Sequence, residues 1–302
     1  MGIGDVTEVT VGDCTDLHRL DTGMYDAAEY GAVYLLDDER PAIVDTGIGA
    51  EHERILDAID DVGIGRDELE VIAVTHVHLD HAGGAGYVAD ACPNATVYAP
   101  ERGGHHLVDP SRLVAGTKAA VGDQWEFYAE PKPVPEDRLS TYEDGDVIDL
   151  GAHELRVHSA PGHAPHHHVF EDPANDAIFV ADGAGLWVPA IEEVRPTTPP
   201  PQFDLETCLA DVGMLKSIDP SVLCYAHFGA RETGDALERY ETVLTEWVEA
   251  VAEKREAIGD DEAVIEHFAE TTDLDAVWGE RKARGEIAMN VRGVFAYLDG
   301  LE

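Results

Sequence analysis

The order of apolar and polar positions predicts alternating strands and helices through the first hundred residues. Short runs rich in β-branched residues predict strands at 6–11, 31–37, 41–47, 70–76 and 95–100. Between two of these strands, residues 51–63 carry their apolar side chains at helical spacing. A strand, a helix and a second strand in succession are typical of an α/β layer with a buried strand.

The rest of the chain repeats the strand pattern and then becomes helical. Further strands are predicted at 146–150, 153–160, 167–172, 177–182 and 221–227, with a helix at 203–219. Residues 101–135 predict a helical insert with a proline-rich loop, and the prolines of 188–202 predict an irregular loop near a site. We therefore predict an α/β domain at 1–232, with its insert at about 101–135, and a C-terminal helical extension at 233–302 that packs on it.

The composition is that of a folded protein with a very acidic surface. Of 302 residues, 44% are hydrophobic, which is enough to form a large core. The 62 acidic and 20 basic residues give a net charge of −42, and the acidic residues are spread along the chain. This composition resembles that of haloarchaeal cytoplasmic proteins, which work in molar salt at a Debye length of about 3 Å. Because such a surface repels nucleic acid, we expect a small-molecule substrate and no nucleic-acid partner.

The N-terminus and the cysteines indicate a cytoplasmic protein. "MGIGDVTEVTVGDC" has neither the basic nor the apolar region of a secretory signal. No apolar run is long enough to predict a membrane span. The cysteines form no CxxC pair, so we expect reduced, buried thiols and not a disulfide framework.

Candidate chemistry is concentrated in "VTHVHLDHAGGAG", residues 74–86. Within six positions it holds His76, His78, Asp80 and His81, a string expected by chance in roughly a few per thousand chains of this length. Side chains two apart in an extended segment point the same way, so His76 and His78 can converge on one ion. Asp80 and His81 follow at a turn, where a second ion can be bound.

These four donors are too few to complete two metal sites. Imidazole and carboxylate ligands suit zinc, iron(II) or manganese. Further donors are expected where predicted strands end, because α/β proteins gather their site residues there. Three candidates follow apolar runs in this way: His163 in "APGHAPHHH", Asp182 in "FVADGAG" and His227 in "CYAHFGA".

The order and separation of these motifs resemble the metallo-β-lactamase superfamily. The resemblance rests on "THVHLDHAGG", then "PGH", then a strand ending in aspartate, then a strand ending in histidine, with "IVDTG" at 43–47. It extends over roughly residues 5–230. It implies an α/β fold of the αββα type, a sandwich of two mixed β-sheets flanked by helices, here followed by the C-terminal helical extension.

The resemblance also implies two divalent metal ions and their ligands. The first ion would be held by three imidazoles, from His76, His78 and His163. The second would be held by Asp80, His81 and His227. Asp182 would bridge the two ions.

Asp45, in the "DTG" position, is implied to support the site without binding metal. Zinc is the expected metal, with iron or manganese as alternatives. The resemblance makes Asp80 and Asp182 the catalytic carboxylates, which act together with a metal-bridging hydroxide that attacks a carbonyl group.

Other residues are weaker candidates for the substrate pocket. His166 and Trp187 are expected to face it, whereas His167 is expected to be structural. His105 and His106 belong to the helical insert, and the sequence leaves open whether they overhang the site.

The expected function is a dinuclear metal-dependent hydrolase of a small ester, thioester or lactone. Asp182 argues against a true β-lactamase, and the segment after it lacks the Cys-Gly-Arg typical of glutathione-thioester enzymes. A mononuclear non-haem iron oxidoreductase acting on a sulfur substrate is one alternative. A catalytically inactive binding module of the same fold is another.

The substrate, the native metal and the oligomeric state stay open at this point. The C-terminal helices are compatible with a cover over the pocket, with a homodimer interface, or with neither.

Overall fold

Two β-sheets lie face to face, and helices cover the outer face of each. The computed structural model describes residues 2–301. One apolar cluster lies between the sheets and contains residues from both. A further cluster lies between the first sheet and its helices, and another lies between the second sheet and its helices. The predicted αββα sandwich is therefore confirmed.

The first sheet contains seven strands in chain order. They are β1 (Val6–Glu8), β2 (Leu17–Asp21), β3 (Ala32–Leu36), β4 (Ala42–Val44), β5 (Val71–Ala73), β6 (Thr96–Pro100) and β7 (Leu139–Tyr142). The pairs from β1 to β4 are antiparallel and those from β4 to β7 are parallel. In β3, Tyr34 and Leu36 face the other sheet, whereas Val33 and Leu35 face the helices. Burial on both faces explains why this strand is continuously apolar.

The second sheet contains six strands in the order β15, β14, β11, β10, β9, β8. Their bounds are β8 (Val147–Asp149), β9 (Glu154–Ser159), β10 (His168–Asp172), β11 (Ala177–Ala181), β14 (Val222–Tyr225) and β15 (Ala230–Glu232). Only β11 and β14 pair in parallel among these described strands. Their connection contains a helix, as parallel pairing requires.

The helices fall into an outer layer on each side. They are α1 (His52–Asp61), α2 (Leu79–Ala82), α3 (Ala85–Ala91), α4 (Glu101–Gly104), α5 (Ser111–Val121), α6 (Leu205–Ile218), α7 (Ala236–Ile258), α8 (Asp261–Thr271), α9 (Asp275–Trp278) and α10 (Glu280–Gly300). Helices α1 and α3 pack on the first sheet. Helices α6, α7, α8 and α10 share one apolar cluster with the second sheet. The C-terminal segment is thus helical and packs on the sandwich, while the domain boundary at residue 232 stays a prediction.

The segment 188–202, predicted as an irregular loop, is partly regular. Strands β12 (Leu186–Val188) and β13 (Glu193–Arg195) form an antiparallel hairpin. Pro189 and Pro196 flank the paired residues and do not interrupt them. The prediction of an irregular loop was therefore wrong for this part, because proline is tolerated at the ends of a strand.

Besides β12 and β13, three of the described strands were not predicted. Strand β2 reads "LHRLD", β7 reads "LSTY" and β15 reads "ARE". Each mixes polar and apolar residues over a length too short to show a clear period. Conversely, the strand predicted at 6–11 ends at Glu8, and residues 11–13 form a 3₁₀ turn.

All four cysteines of the chain are free and buried in the structure. Among residues 2–301, none of the helices combines the length and the apolar character that a membrane span requires.

Candidate metal centre

Four strands end at the edge where the candidate ligands lie. Strands β4 and β5 are parallel neighbours in the first sheet, and β11 and β14 are parallel neighbours in the second. Asp45 directly follows β4, and His76 follows β5 after two residues. Asp182 directly follows β11, and His227 follows β14 after one residue. Parallel strands bring their carboxyl ends to the same edge, so residues far apart in sequence meet there.

The backbone turns sharply where three of these strands end. Asp45, Ala181 and Phe228 have φ angles of 61°, 45° and 64°. Residues with a Cβ rarely adopt this left-handed conformation, which costs of order 1–3 kcal/mol at each position. Such strain clusters at functional sites, where the surrounding structure holds it in place.

Three imidazoles meet at one point of this edge. His78 Nδ1 lies 3.0 Å from His76 Nε2 and 3.2 Å from His163 Nε2. His76 is fully buried, and His163 is nearly so. This is the ligand group that the sequence predicted for the first ion, and its ligand atoms lie within 4.8 Å of one another.

The carboxylate of Asp182 lies between this group and a second one. Its Oδ2 is 3.1 Å from His81 Nε2 and 3.3 Å from His163 Nε2. Its Oδ1 is 3.6 Å from His227 Nε2. Asp80, His81 and His227 form the second predicted ligand group, again with ligand atoms within 4.8 Å. The structure thus brings all seven predicted ligands together, with Asp182 between the two groups.

Hydrogen bonds on the opposite ring nitrogens fix the tautomers of two imidazoles. His81 Nδ1 donates to Asp45 Oδ2 at 2.9 Å, and His227 Nδ1 donates to the carbonyl of Tyr30 at 3.2 Å. Because both partners are acceptors only, Nδ1 must carry the proton in each ring. In the neutral ring, each Nε2 then presents a lone pair to Asp182.

His76 is oriented in the same way through Thr75. The Thr75 hydroxyl lies 2.9 Å from both oxygens of Asp45, so it donates its hydrogen to that carboxylate. His76 Nδ1, 3.1 Å from the same hydroxyl, is left to donate to it. His76 Nε2 therefore also presents a lone pair to the cluster.

The electrostatics of the cluster fit a cation. Burial and the neighbouring imidazoles lower the pKa of His76 well below its ordinary value. Burial alone would lower the pKa of His81, but the carboxylates of Asp182 and Asp45 raise it well above the ordinary value. Asp182 Oδ1 is buried and has no hydrogen-bond partner in the described part of the chain. Where these imidazoles are neutral, their nitrogen lone pairs face the carboxylate oxygens and are stabilised by a positive charge between them, either a proton or a divalent metal. Histidine and carboxylate donors suit divalent metals.

Asp45 supports the ligands and lies outside the ligand groups that the described residues form. Besides His81, its Oδ1 accepts the backbone N–H of Thr75 at 2.8 Å. It is 3% exposed, so these bonds form in a medium of low dielectric. One carboxylate therefore holds two ligand-bearing segments, around His76 and around His81.

We expect Asp45→Ala to weaken metal binding by about ten- to a hundredfold, the range for residues that orient ligands. The alanine leaves the Nδ1 proton of His81 without its acceptor, so the ring is free to rotate. Competition with a chromophoric chelator measures the affinity. Asp45→Asn, which keeps an acceptor for Thr75, should lose less, and wild-type affinity in the alanine variant would contradict this role.

The segment that carries His163 is held against α6. Asp211 Oδ2 accepts the backbone N–H of Gly162 at 2.7 Å. A Cβ atom at Gly162 would lie 2.3 Å from the backbone nitrogen of Cys208, so glycine is required for this close approach. Burial raises the pKa of Asp211 from 3.8 to about 6.

This raised pKa predicts a pH-dependent stability. Between pH 3.8 and about 6, folded Asp211 holds a proton that the unfolded chain has released, so the free energy of unfolding falls as pH rises. Asp211→Asn removes the titrating carboxyl group, and with it the dependence of stability on pH at this site. Its amide oxygen still accepts the Gly162 N–H. We expect the stability of Asp211→Asn relative to wild type to increase across this range and to level off above it. Denaturant unfolding at a series of pH values measures the difference, and parallel curves would refute the prediction.

The remaining candidate residues occupy different positions. The ring of His166 lies 5.1 Å from that of His78. His167 is structural, as expected: its Nδ1 donates to the carbonyl of Ala160 at 3.1 Å, and its Nε2 accepts the N–H of Asp182 at 3.3 Å.

Trp187 lies beneath the guanidinium of Arg231, 3.9 Å from its ring centroid. His105 and His106 pack on each other with ring centroids 3.9 Å apart. The cavity that opens beside the cluster is not lined by His166 or Trp187. The pair of His105 and His106 does not line it either.

That cavity has a volume of about 210 Å³. His78, Asp80, His163, Asp182 and His227 line one part of it, so the ligand cluster opens into it. Helices α5 and α10 and the prolines 199–201 form other walls. The C-terminal extension therefore covers the pocket, which was one of the roles that the sequence left open.

Sequence reasoning missed the residues of this outer wall. The wall includes Gln124 from the 3₁₀ segment Gly122–Phe127, and Lys282, Glu286 and Asn290 from α10. Helical spacing of Lys282, Glu286 and Asn290 places them on one face of α10, but that pattern alone is typical of a solvated helix.

Comparisons with known proteins agree with the geometry. The model of the metallo-β-lactamase superfamily matches residues 27–227. The metallo-β-lactamase fold-containing protein ST1585 of Sulfurisphaera tokodaii is 26% identical over 221 residues, which are 72% of this chain and 79% of that protein. A hydroxyacylglutathione hydrolase of Gloeobacter violaceus is 28% identical over 169 residues, 55% of this chain and 52% of that enzyme.

Solved structures show the same fold. The crystal structure of ST1585 aligns with a TM-score of 0.69 at 24% identity and covers 93% of this chain and 99% of its own. The metallo-β-lactamase family protein TTHA1429 of Thermus thermophilus aligns with a TM-score of 0.62 at 19% identity, covering 90% of this chain and 89% of its own. The family match extends from residue 27 to His227, the last candidate ligand in the sequence, and this chain therefore belongs to the metallo-β-lactamase superfamily.

Proposed function

We propose that this protein is a dinuclear metal-dependent hydrolase of a small ester, thioester or lactone. The observation that carries the proposal is the convergence of two ligand groups on the carboxylate of Asp182, directly beside a cavity. A hydrolytic metal site needs both a set of ligands and an open side for substrate, and this edge offers both.

The two groups define which residues would hold each ion. His76, His78 and His163 would bind the first, and Asp80, His81 and His227 would bind the second. Asp182 would contact both. Zinc is the metal we propose, because four-ligand sites of nitrogen and oxygen donors are typical of it. Divalent ions at such a site lower the pKa of a bound water to about 7 and polarise a substrate carbonyl.

The protein's own residues prepare the site for this chemistry. The Nδ1 bonds to Asp45 and to the carbonyl of Tyr30 hold the rings of His81 and His227 with Nε2 toward the centre. Although burial opposes ionisation, the imidazoles of His81 and His78 lower the pKa of Asp80, which keeps its carboxylate charged. The side chain of Asp80 is 29% exposed and lines the cavity. It is therefore the carboxylate best placed to orient a nucleophile beside a substrate by accepting a hydrogen bond from it.

The cavity favours a small substrate with an apolar part. Its volume of about 210 Å³ is at the low end for ligand pockets. Leu79, Leu113, Val121, Leu186 and Met289 contribute apolar surface. Similarity to a hydroxyacylglutathione hydrolase supports inclusion of thioesters among the candidates, although the fold itself hosts many reactions.

The test is a substrate panel combined with metal analysis. Purified protein is loaded with zinc, manganese or iron and assayed in molar KCl, because a net charge of −42 destabilises the fold in dilute buffer. We expect two equivalents of metal and hydrolysis of at least one ester, thioester or lactone. No hydrolysis of any member would refute the proposal. One equivalent of iron with oxygen-dependent turnover would favour the oxidoreductase, and metal-replete protein that only binds small molecules would favour the inactive module.

A further inference from the structure

The outer wall of the cavity contains a polar group without a partner. Gln124 is 5% exposed, and its Oε1 is buried with no hydrogen-bond partner among the described residues. A buried amide oxygen that is left unpaired costs about 1–3 kcal/mol. Gln124 also lines the cavity, so a bound molecule that contacts its amide can supply the missing donor.

The amide of Gln124 packs on α10 at a position adapted to it. A Cβ atom at Gly285 would lie 2.0 Å from Gln124 Nε2, so a side chain there would displace the amide from this position. Lys282 and Glu286 are neighbours of Gly285 on the same helix, and both line the cavity. Gln124 and this stretch of α10 therefore form one polar wall.

Lys282 supplies donors to the same wall. Its ammonium donates to Glu286 Oε2 at 2.6 Å and lies 3.9 Å from the ring centroid of Tyr25 and 5.0 Å from that of Tyr30. The bond to Glu286 is the single hydrogen bond of this ammonium within residues 2–301. A lysine ammonium has three N–H donors, so donors remain for a ligand.

The charges of the wall are balanced. Glu286 is paired with Lys282, and its Oε1 accepts from Asn290 Nδ2 at 3.3 Å. Lys282 and Glu286 are each 8% exposed, so a further charge placed beside them would meet one of them in a medium of low dielectric. A substrate carboxylate would face Glu286 as well as Lys282, and a substrate ammonium would face Lys282 as well as Glu286. Neither would gain a net attraction that offsets the loss of its hydration.

We propose that this wall binds an uncharged substrate group that both donates and accepts a hydrogen bond, of which a carboxamide is the compact example. Its N–H would donate to Gln124 Oε1, and its carbonyl would accept from Lys282. The inference rests on the proposed hydrolase function, because that function places the scissile bond of the substrate beside the metal ligands. The proposed substrate therefore has an acyl group that carries a carboxamide remote from the carbonyl that is attacked.

Four thioesters of N-acetylcysteamine test this proposal, because their acyl groups have nearly the same shape. Succinamoyl ends in a carboxamide, succinyl in a carboxylate, levulinyl in a methyl ketone and 4-methylpentanoyl in an isopropyl group. We expect kcat/KM for succinamoyl to exceed that of each of the others by at least about tenfold, since each of the others leaves a buried polar group unpaired or meets a like charge.

Variants of Gln124 separate recognition from folding. Gln124→Met keeps the length of the side chain and removes the amide, so the preference for succinamoyl should fall to within about threefold of levulinyl. Gln202→Met makes the same change at an exposed glutamine that does not line the cavity, and it should keep the preference. The ranking of the four substrates by the wild-type enzyme tests the proposal even if Gln124→Met does not fold.

Binding supplies a readout that does not need turnover. Ketone analogues, in which a CH₂ group replaces the thioester sulfur, are titrated calorimetrically into metal-loaded protein. Suppose that the succinamoyl analogue binds selectively, that this binding is lost in Gln124→Met, and that no thioester and no ester or lactone of the panel is hydrolysed. That result would support the wall and refute the hydrolase. Hydrolysis without preference for succinamoyl, or with preference for succinyl, would refute the wall and leave the hydrolase. No turnover and no selective binding would refute both.

Discussion

Asp182→Asn is expected to reduce hydrolysis by at least about a thousandfold and to reduce bound metal in the same protein. The carboxylate lies 3.1 Å from His81 Nε2 in one ligand group and 3.3 Å from His163 Nε2 in the other. Asparagine keeps the shape but removes the negative charge that would offset the two proposed cations. The loss of several kcal/mol of charge stabilisation corresponds to a rate factor of this size.

Metal content and rate must be measured together for this variant. Mass spectrometry of metals after gel filtration gives occupancy, and the best substrate of the panel gives the rate. Asp172→Asn is the matched control, because Asp172 is also buried and accepts from an imidazole, that of His153, at 2.9 Å. It should keep its metal. Full occupancy of Asp182→Asn would contradict the bridging position of this carboxylate.

The positions of the candidate ligands could be picked out from the sequence because their chemistry is unusual and the spacing of four of them is local. His76, His78, Asp80 and His81 lie in one short segment, and few structural demands place so many ligand side chains together. The more distant ligands each follow a clear apolar run, which marked a strand end. In the structure these signals meet at a single edge.

The outer wall of the pocket could not be predicted in the same way. Gln124 and Lys282 are ordinary residues of a polar turn and a charged helix, and nothing in their neighbourhood in sequence connects them. Their proximity arises from the packing of α10 against the helical insert, where Gly285 admits the glutamine side chain. Trp187 shows the converse, since its large apolar ring suggested a pocket, yet it packs beneath Arg231.

The strands were predicted where burial leaves a strong pattern. Strand β3 is covered on both faces, so all of its residues are apolar and its position was clear. Strand β2 is covered unevenly and contains His18 and Arg19, which removed the pattern. The hairpin of β12 and β13 was missed because prolines beside a strand look the same in sequence as prolines inside a loop.

Lys282→Met is expected to lower the free energy of unfolding by about 3–5 kcal/mol, because it leaves the carboxylate of Glu286 buried without its partner. The two side chains are each 8% exposed, and their charged atoms lie 2.6 Å apart. The double variant Lys282→Met with Glu286→Met should regain most of this loss, since two methionines remove both charges and can pack on Tyr25 and Tyr30. Denaturant unfolding in molar KCl measures all three proteins.

The exposed pair of Asp235, which directly precedes α7, and Arg239, in its first turn, provides the control for this prediction. It has the same spacing and a distance of 2.7 Å, but its side chains are 58% and 51% exposed. Arg239→Met should therefore cost at most about 0.5 kcal/mol, because water and salt screen a surface pair. If Lys282→Met cost no more than Arg239→Met, the pair on α10 would be solvated and unable to discriminate against charged substrates. A large cost that persists in molar salt would instead mean that the wall has the low dielectric that selection of an uncharged group requires.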